Sequence, residues 1–303
     1  MDGHHPGRAV VVGVDGSADA LRAVRWAVPE ARRRRAVLRL VTAFPWTDDR
    51  MVGIPWLGKS AYGDRLQATA QRALAAATAV VSTLDPDLLV ESELVVGYPT
   101  DVLVEQSRSA ELIVVGEHGR GRLVLLLAGS VAVGVAAHAA CPVVVVRGGG
   151  PAVGPTGDRV TEQRPVVVGV DGTALSDAAL AFAFDAASAR HAPLVAVHTW
   201  LDVLADAEMA ALIDWRGHAE EEAIAMAERL GVWREKHPDV AVEQVFVQAR
   251  AGRVLLERSR SAQLVVVGSR GHGEVVGFVL GSISSMLVHG AGCPVAVVRS
   301  VGE

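Results

Sequence analysis

The stretch VVVGVDGS at Val10–Ser17 and its near copy PVVVGVDGT at Pro165–Thr173 decide the fold of this chain. Each stretch contains a run of three valines and ends in Asp-Gly followed by a hydroxyl residue. A continuous β-branched run is typical of a strand covered on both faces, and Asp-Gly-Ser or Asp-Gly-Thr favours a turn into a helix. The chain therefore contains two strand-turn-helix units of the kind found in parallel sheets.

Two further pairs of segments repeat in the same order along the chain. LIVVG at Leu112–Gly116 matches LVVVG at Leu264–Gly268, and CPVVVVR at Cys141–Arg147 matches CPVAVVR at Cys293–Arg299. Because the repeats are collinear and far apart, they indicate duplication of a whole domain rather than a short solenoid repeat.

The length of 303 residues also predicts two domains. We place the first at residues 1–148 and the second at 165–303, with a linker at 149–164 that is rich in Gly and Pro. Within each domain, short β-branched runs alternate with longer segments of helical period. This alternation predicts an α/β fold of two tandem doubly wound parallel five-stranded sheets, Rossmann-like, with helices on both faces.

The predicted elements are bounded by polar and turn residues. The strands are Ala9–Val14, Ala36–Ala43, Leu88–Val96, Leu112–Val115 and Val143–Val146, then Val166–Val170, Leu194–Thr199, Val240–Val247, Leu264–Val267 and Val295–Val298. The helices of the first domain are Ser17–Arg34, Asp64–Leu84, Thr100–Ser109 and Ser130–Ala139. Pro29 should kink or shorten the first helix, and the arginines Arg32–Arg35 should form a solvated helix end.

Composition excludes several classes of protein. Half of the residues are apolar and 21% are charged, which argues against general disorder. The net charge of −5 argues against nucleic acid as a partner, and no apolar run is long enough to cross a membrane. Residues Met1–Arg8 lack the apolar core of a secretory signal, so a cytoplasmic location is expected. Cys141 and Cys293 each precede a proline and an apolar run, and are expected to be buried core residues.

The turn after the first strand of each domain is one candidate site. Ligands of parallel sheets bind beyond the carboxyl ends of the strands, which is where Asp15 and Asp171 lie. Each could orient a ligand through its carboxylate. The alternative is that these residues only turn the chain and cap the next helix, and Ser17 and Ser176 fit that capping role better than a ligand role.

The loop after the fourth strand is the second candidate site. Both domains carry the spacing Gly-x2-Gly-x9-Gly-Ser, beginning at Gly116 and at Gly268. Glycines let backbone N–H groups curl around an anion, and Gly-Ser at a helix start adds amides, a hydroxyl and the positive end of the helix dipole. The pattern predicts a phosphate cradle in each domain.

A separate segment, Gly53–Ser60, matches the P-loop formula Gly-x4-Gly-Lys-Ser. It does not follow directly on a strand, Pro55 removes one amide from the cradle, and Trp56 is bulky where phosphate must approach. We therefore do not favour a P-loop here, and a nucleotide hydrolase built on this segment is kept only as an alternative. No nucleophile with a base and no convergent carboxylate pair is evident, so a binding function is expected rather than an enzyme.

The GVDG(S/T) element, the glycine loop and the closing CPVxVVR strand resemble the universal stress protein family in its tandem form. That resemblance implies an adenine nucleotide alpha hydrolase-like fold and an ATP-binding protein of the stress response, with ATP bound alone or with Mg²⁺. It implies pairing of domains through the closing strands and a homodimer, with a downstream protein partner that the sequence does not reveal. A dimerisation scaffold with a lapsed first site is a further alternative.

By the same resemblance, residues from three strand ends would bind the nucleotide in each domain. In the first domain these are Gly13, Asp15, Ala43, Gly116, Gly119, Gly121, Gly129, Ser130 and Val131. In the second they are Gly169, Asp171, Thr199, Gly268, Ser269, Arg270, Gly271, His272, Gly273, Gly281, Ser282 and Ile283. Ala43 and Thr199 would lie against the base. Glu117 departs from the commoner serine of the loop, and its carboxylate would disfavour phosphate unless it points away.

Overall fold

The structure, a computed structural model, describes residues 9–44, 59–119, 129–148, 164–199, 215–247, 249–269 and 280–299. The chain divides into two compact units, Met1–Gly148 and Gly149–Glu303, which are called domains 1 and 2 below. Almost all of the predicted linker, residues 149–163, lies outside the described ranges.

Domain 1 is a parallel sheet with helices on both faces. Its strands are β1 (Ala9–Gly13), β2 (Val37–Phe44), β3 (Val90–Val96), β4 (Leu112–Gly116) and β5 (Val143–Val146). Its helices are α1 (Ala18–Arg34), α2 (Lys59–Leu84), α3 (Pro99–Gln106) and α4 (Ser130–His138). The strands lie in the order β3-β2-β1-β4-β5 with parallel register throughout. Right-handed crossovers then place α1 and α2 on one face and α3 and α4 on the other.

Domain 2 repeats this order. Its strands are β6 (Val166–Val170), β7 (Leu194–Thr199), β8 (Val242–Val247), β9 (Leu264–Gly268) and β10 (Val295–Val298). Its helices are α5 (Ala174–Ser188), α6 (Trp215–Lys236), α7 (Ala251–Ser259) and α8 (Ser282–Gly290). The strands lie in the order β8-β7-β6-β9-β10 and all pairs are parallel. The predicted doubly wound α/β fold is confirmed in both domains.

The core of each domain lies between its sheet and its helices. Every residue of β5 and β10 is buried, and only the terminal glycines of β1, β4 and β9 are partly exposed. On α1 the small residues Ala20, Ala23, Ala27 and Ala31 are buried and allow the helix to lie close to the sheet.

Of the two expected effects of Pro29, a kink or a shorter first helix, the shortening is wrong. Helix α1 continues through Pro29 to Arg34. A proline inside a helix removes one backbone hydrogen bond, and the buried face of α1 supplies tertiary packing that offsets this loss.

The arginine run at the end of α1 is also not simply a solvated helix end. Arg34 is largely buried and donates to Glu30 at 2.6 Å and to Glu111 at 2.9 Å. Burial by itself would lower the pKa of Arg34, but the charges and hydrogen bonds of the two glutamates raise it above its ordinary value. These three residues, Glu30, Arg34 and Glu111, are called the buried triad below.

In each domain a glycine of one helix faces a larger side chain where the third and fourth helices meet, but the helix that carries the glycine differs between the two domains. In domain 1, a Cβ on Gly134 of α4 would lie 2.8 Å from the side chain of Thr100 on α3. In domain 2, a Cβ on Gly252 of α7 would lie 2.7 Å from the sulfur of Met286 on α8. The larger residue therefore belongs to α3 in one domain and to α8 in the other, and glycine lies opposite it each time.

Both cysteines are buried free thiols, as predicted. Burial raises the pKa of the Cys141 thiol from 9.0 to about 12.

Since only the thiolate is nucleophilic, neither cysteine of the native protein should react with an alkylating reagent at pH 8, whereas both should react in urea. Mass spectrometry of the alkylated chain checks this, and rapid labelling of Cys141 without denaturant would contradict its burial.

The raised Cys141 pKa also predicts how stability depends on pH. Its contribution is fully present below the pKa of the unfolded thiol, because both states are then protonated, and is lost as pH rises from about 9 towards 12. The unfolding free energy of domain 1 should therefore fall over this range more steeply in the wild type than in Cys141→Ala.

Candidate functional site

The carboxyl ends of β1 and β4 are adjacent in domain 1, and those of β6 and β9 are adjacent in domain 2. At these points the strand order reverses direction, and an open parallel sheet leaves a crevice there. Asp15 follows β1 by two residues and Gly116 ends β4, so the two predicted site segments of domain 1 meet at this crevice.

The turn after β1 is held by the aspartate that the sequence singled out. Asp15 Oδ1 accepts a hydrogen bond from the Ser17 amide at 2.9 Å, and Gly16 has a φ of 81°, which favours glycine. Ser17 caps α1 by accepting from the amide of Ala20 at 3.1 Å. The predicted cap role of Ser17 is therefore confirmed.

The same turn in domain 2 corrects the prediction for Ser176. Thr173, not Ser176, is the N-cap of α5, and Asp171 Oδ1 accepts from both the Thr173 amide at 3.0 Å and its hydroxyl at 2.6 Å. Ser176 lies inside the first helical turn and donates its hydroxyl to the Thr173 carbonyl oxygen at 2.8 Å. Thr173, not Ser176, occupies the position equivalent to Ser17.

The glycine loop of domain 1 lies against Asp15. A Cβ on Gly119 would come within 2.8 Å of Asp15 Oδ2, so a larger residue here would require this carboxylate to move. This contact brings together two sequence segments that were predicted independently, separated by about a hundred residues.

The other two glycines of this loop also mark close backbone approaches. A Cβ on Gly116 would meet the backbone of Asp19 at 2.6 Å, and one on Gly129 would meet the Glu117 carbonyl oxygen at 3.0 Å. The Gly129 amide donates to that same oxygen at 2.8 Å, which brings the end of the loop back to its start. Helix α4 then begins at Ser130, and no side chain caps its first turn.

Domain 2 closes its loop in the same way. The Gly281 amide donates to the Ser269 carbonyl oxygen at 2.9 Å, and Ser284 donates its hydroxyl to that oxygen at 3.1 Å. Helix α8 begins at Ser282, again without a side-chain cap. Ile283, like Val131 of domain 1, lies in the first turn and is partly exposed. The remaining predicted loop residues lie outside the described ranges: Gly121, Arg270, Gly271, His272 and Gly273.

Glu117 points towards the end of β5. Its Oε1 lies 2.8 Å from a guanidinium nitrogen of Arg147, and its Oε2 accepts from the Gly148 amide at 3.5 Å. The side chain is about 10% exposed, so this carboxylate is buried and paired. The electrostatic objection to phosphate in domain 1 is therefore weaker than the sequence suggested. At the matching position of domain 2, the Ser269 hydroxyl is buried and has no hydrogen-bond partner among the described residues.

The ends of the second strands carry polar residues that sequence reasoning missed. Thr42 donates to the carbonyl oxygen of Val14 at 2.7 Å, and His198 contacts the carbonyl oxygen of Val170 through Nδ1 at 2.8 Å. Each therefore anchors the residue that precedes Asp15 or Asp171. A signal was present, since both are polar residues within apolar strands, but a threonine and a histidine do not look equivalent in sequence.

Several predicted site residues lie at the crevice without a polar contact that defines a role. Ala43 and Thr199 are partly exposed near the ends of β2 and β7. Gly13 is the last residue of β1 and Gly169 is the last but one of β6, and each lies beneath a leucine of the third helix. A Cβ on Gly13 would lie 2.9 Å from Leu103. The absence of a side chain at Gly13 therefore serves close helix packing.

The described residues offer little support for a P-loop, a metal site or a membrane-spanning helix. Lys59 and Ser60 of the P-loop-like segment begin helix α2, while Gly53–Gly58 lie outside the described ranges. Across the described parts of the chain, no group of three or more His, Cys, Asp or Glu side chains could hold a metal ion. Over the same residues, no helix is both long and apolar enough to cross a membrane.

Comparison with known proteins agrees with this architecture. The universal stress protein family matches the chain twice, at residues 7–147 and 163–299. A universal stress protein of Mycobacterium tuberculosis is 39% identical over 298 residues, and one of Mycolicibacterium smegmatis is 36% identical over 296, with 96% of each chain covered in both cases. The crystal structure of a universal stress protein from Archaeoglobus fulgidus has the same fold, with a TM-score of 0.66, 18% identity, and 96% of this chain and 98% of that chain covered. The chain belongs to the universal stress protein family and carries two copies of its domain.

Proposed function

We propose that this chain binds an adenine nucleotide, ATP, at the crevice of each domain and acts as a nucleotide-dependent regulator in the stress response. The observation that carries the proposal is the contact between Gly119 and Asp15, which joins the glycine loop to the aspartate turn. A ligand that uses both a carboxylate and a run of backbone amides would fit between these two segments.

The residues present fit a polyphosphate ligand. Gly116, Gly119 and Gly129 bring backbone close to its neighbours, at distances where an added Cβ would force those neighbours to move, which is what a backbone cradle requires. The uncapped first turn of α4, and that of α8 in domain 2, offers amide donors and the positive end of a helix dipole to an anion. Bound ATP would supply the negative charge that these donors attract.

The proposed role is binding rather than turnover. The sequence of neither glycine loop contains an evident nucleophile paired with a base. Nucleotide occupancy would change the surface that the chain offers to a partner protein. Pairing of two chains, which the family resemblance implies, would place such surfaces on a homodimer.

Release of bound nucleotide is the direct test of this function. The purified chain, denatured and analysed by mass spectrometry, should release adenine nucleotide, and added ATP should raise the melting temperature by mass action. If neither nucleotide release nor a thermal shift is observed, the proposed function is wrong. If Lys59→Ala abolished binding, the P-loop-like segment would instead be the site.

Replacing Asp171 with asparagine should weaken ATP binding to domain 2 by about tenfold or more, because a charge-assisted hydrogen bond is lost. Asparagine keeps an oxygen that can accept from Thr173, so the turn after β6 should persist while the carboxylate charge is removed. Isothermal titration calorimetry with ATP measures the change.

The matched control for this variant is Asp239→Asn. Asp239 accepts a hydrogen bond from Ser188 and lies just before β8, at the amino ends of the strands and away from the proposed site. Its replacement should therefore leave ATP affinity unchanged. Equal affinities in Asp171→Asn and wild type would remove the aspartate from the site.

A further inference from the structure

The second strand of each domain carries a hydrogen-bond donor that reaches the first strand. In domain 1, the Thr42 hydroxyl donates to the Val14 carbonyl oxygen at 2.7 Å. In domain 2, Nδ1 of His198 lies 2.8 Å from the Val170 carbonyl oxygen, and because a carbonyl oxygen only accepts, Nδ1 carries the ring proton. Both donor side chains are buried. Two chemically different residues therefore make the same bond at matching positions of the two domains.

The carbonyl that accepts this bond belongs to the peptide immediately before the site aspartate. Val14 precedes Asp15, and Val170 precedes Asp171. A peptide unit is planar, so a bond that fixes the direction of its carbonyl also fixes the direction of the amide N–H of the next residue. The donor on the second strand thus sets how the backbone enters the aspartate turn, at the crevice where the nucleotide is proposed to bind.

The ring of His198 is held by two other elements of domain 2. Phe246 of β8 stacks on it, with ring centroids 5.3 Å apart and ring planes inclined by 7°. Nε2 of the ring lies 3.4 Å from a carboxylate oxygen of Glu222 on α6. These two neighbours restrict rotation of the imidazole, so Nδ1 stays directed at the Val170 carbonyl oxygen.

The other side of the turn in domain 2 has support of its own. Arg229 of α6 donates to the Thr173 carbonyl oxygen and to Asp177, each at 3.3 Å. The Thr173 amide in turn donates to Asp171 at 3.0 Å. Loss of the His198 bond should therefore change the direction of the peptide before Asp171 without unfolding the turn.

We propose that Thr42 and His198 are positioning residues for the two nucleotide sites. Each holds the peptide before the site aspartate and so directs the carboxylate of that aspartate towards the ligand. This inference rests on the proposed function. Neither side chain needs to contact the nucleotide, because it acts through the backbone of the adjacent strand. The site requires a hydrogen-bond donor at this position rather than a particular residue, which is why a threonine and a histidine can serve alike.

Calorimetric titration of the full chain with ATP tests the proposal in domain 1. The variants are made in an Asp171→Asn background, which weakens domain 2. Thr42→Val keeps the shape of threonine but removes the donor, and should lower the ATP affinity of domain 1 by about five- to tenfold. Thr42→Ser loses a methyl group but keeps the hydroxyl, and should retain most of the affinity.

The matching test in domain 2 uses an Asp15→Asn background, which weakens domain 1. Asparagine and leucine have nearly the same shape, but only asparagine can place an N–H at the position of the imidazole Nδ1. His198→Asn should therefore bind ATP about five- to tenfold more tightly than His198→Leu.

Unfolding free energies of the four variants separate positioning from stability, because a purely structural role would make ATP affinity follow the unfolding free energy. If the His198 variants do not fold, the Thr42 pair alone gives the result. Equal affinities within each pair, or affinities that follow stability, would overturn the inference and leave the proposed function intact. A complete lack of ATP binding by the wild type would overturn both.

Discussion

Replacing Gly116 with alanine should lower the unfolding free energy of domain 1 by about 2–3 kcal/mol. A Cβ at this position would lie 2.6 Å from the carbonyl carbon of Asp19 and 2.9 Å from the amide nitrogen of Ala20. Carbon atoms in contact ordinarily lie about 3.5–4.0 Å apart. Because the obstructing atoms are backbone, no change of rotamer relieves the clash, and α1 must move away from β4.

Urea denaturation followed by circular dichroism measures this loss, and hydrogen exchange should locate it in α1 and β4. The control is Gly231→Ala in α6, where a Cβ would meet nothing within 4 Å. Alanine is favoured over glycine in a helix by about 1 kcal/mol, so this variant should be as stable as the wild type or more stable. An unchanged denaturation midpoint for Gly116→Ala would contradict the close packing of α1 on β4.

Replacing Arg34 with methionine should cost about 3 kcal/mol, the cost expected when one partner of a buried ion pair is removed. Methionine fills much of the volume of the arginine stem but leaves Glu30, which is 2% exposed, and Glu111 without their shared cation. Glu30 retains its longer ion pair with Arg33, at 3.7 Å. Denaturation curves of the variant and the wild type measure the loss.

Two controls separate the buried triad from arginine in general. Arg32→Met removes a pair with Asp85 in which the arginine is 52% exposed, and should cost no more than about 1 kcal/mol. Glu30→Ala combined with Glu111→Gln introduces the residue types of Ala186 and Gln263, the matching positions of domain 2, where Arg190 donates to the Ala186 carbonyl oxygen at 3.1 Å, and should cost less than Arg34→Met. Equal losses for Arg32→Met and Arg34→Met would show that burial of the triad does not decide its energy.

Much of the fold could be predicted from sequence because its determinants are local. The valine runs of β1 and β5 are apolar throughout, so they identify buried strands without any knowledge of their neighbours. Helix α1 is not shortened at Pro29, because the effect of a proline is local, while the burial that retains the helix depends on residues distant in sequence.

The residues of the site that belong to local sequence motifs could be predicted in the same way. Asp15 and Gly119 could be identified because each lies beyond a strand end in a duplicated motif, and the structure places them together. The pairing of Asp19 with His118 and of Glu117 with Arg147 could not be identified, since each depends on contacts between segments that have no shared local pattern. Asp19 in particular looks in sequence like an ordinary acidic residue of a helix first turn.

The glycine of the helix contact lies on the fourth helix in domain 1 (Gly134) and on the third helix in domain 2 (Gly252). This difference affects how the two halves of the gene can exchange sequence. Copying α4 of domain 1 over α8 would place Gly134 opposite Gly252 and leave a gap, whereas copying α8 over α4 would bring Met286 against Thr100. Gene conversion confined to a single helix would thus replace a glycine that faces a side chain with two facing glycines or with two facing side chains. Exchange of both helices together would preserve the fit, so the duplicated halves should diverge and recombine by matched helix pairs.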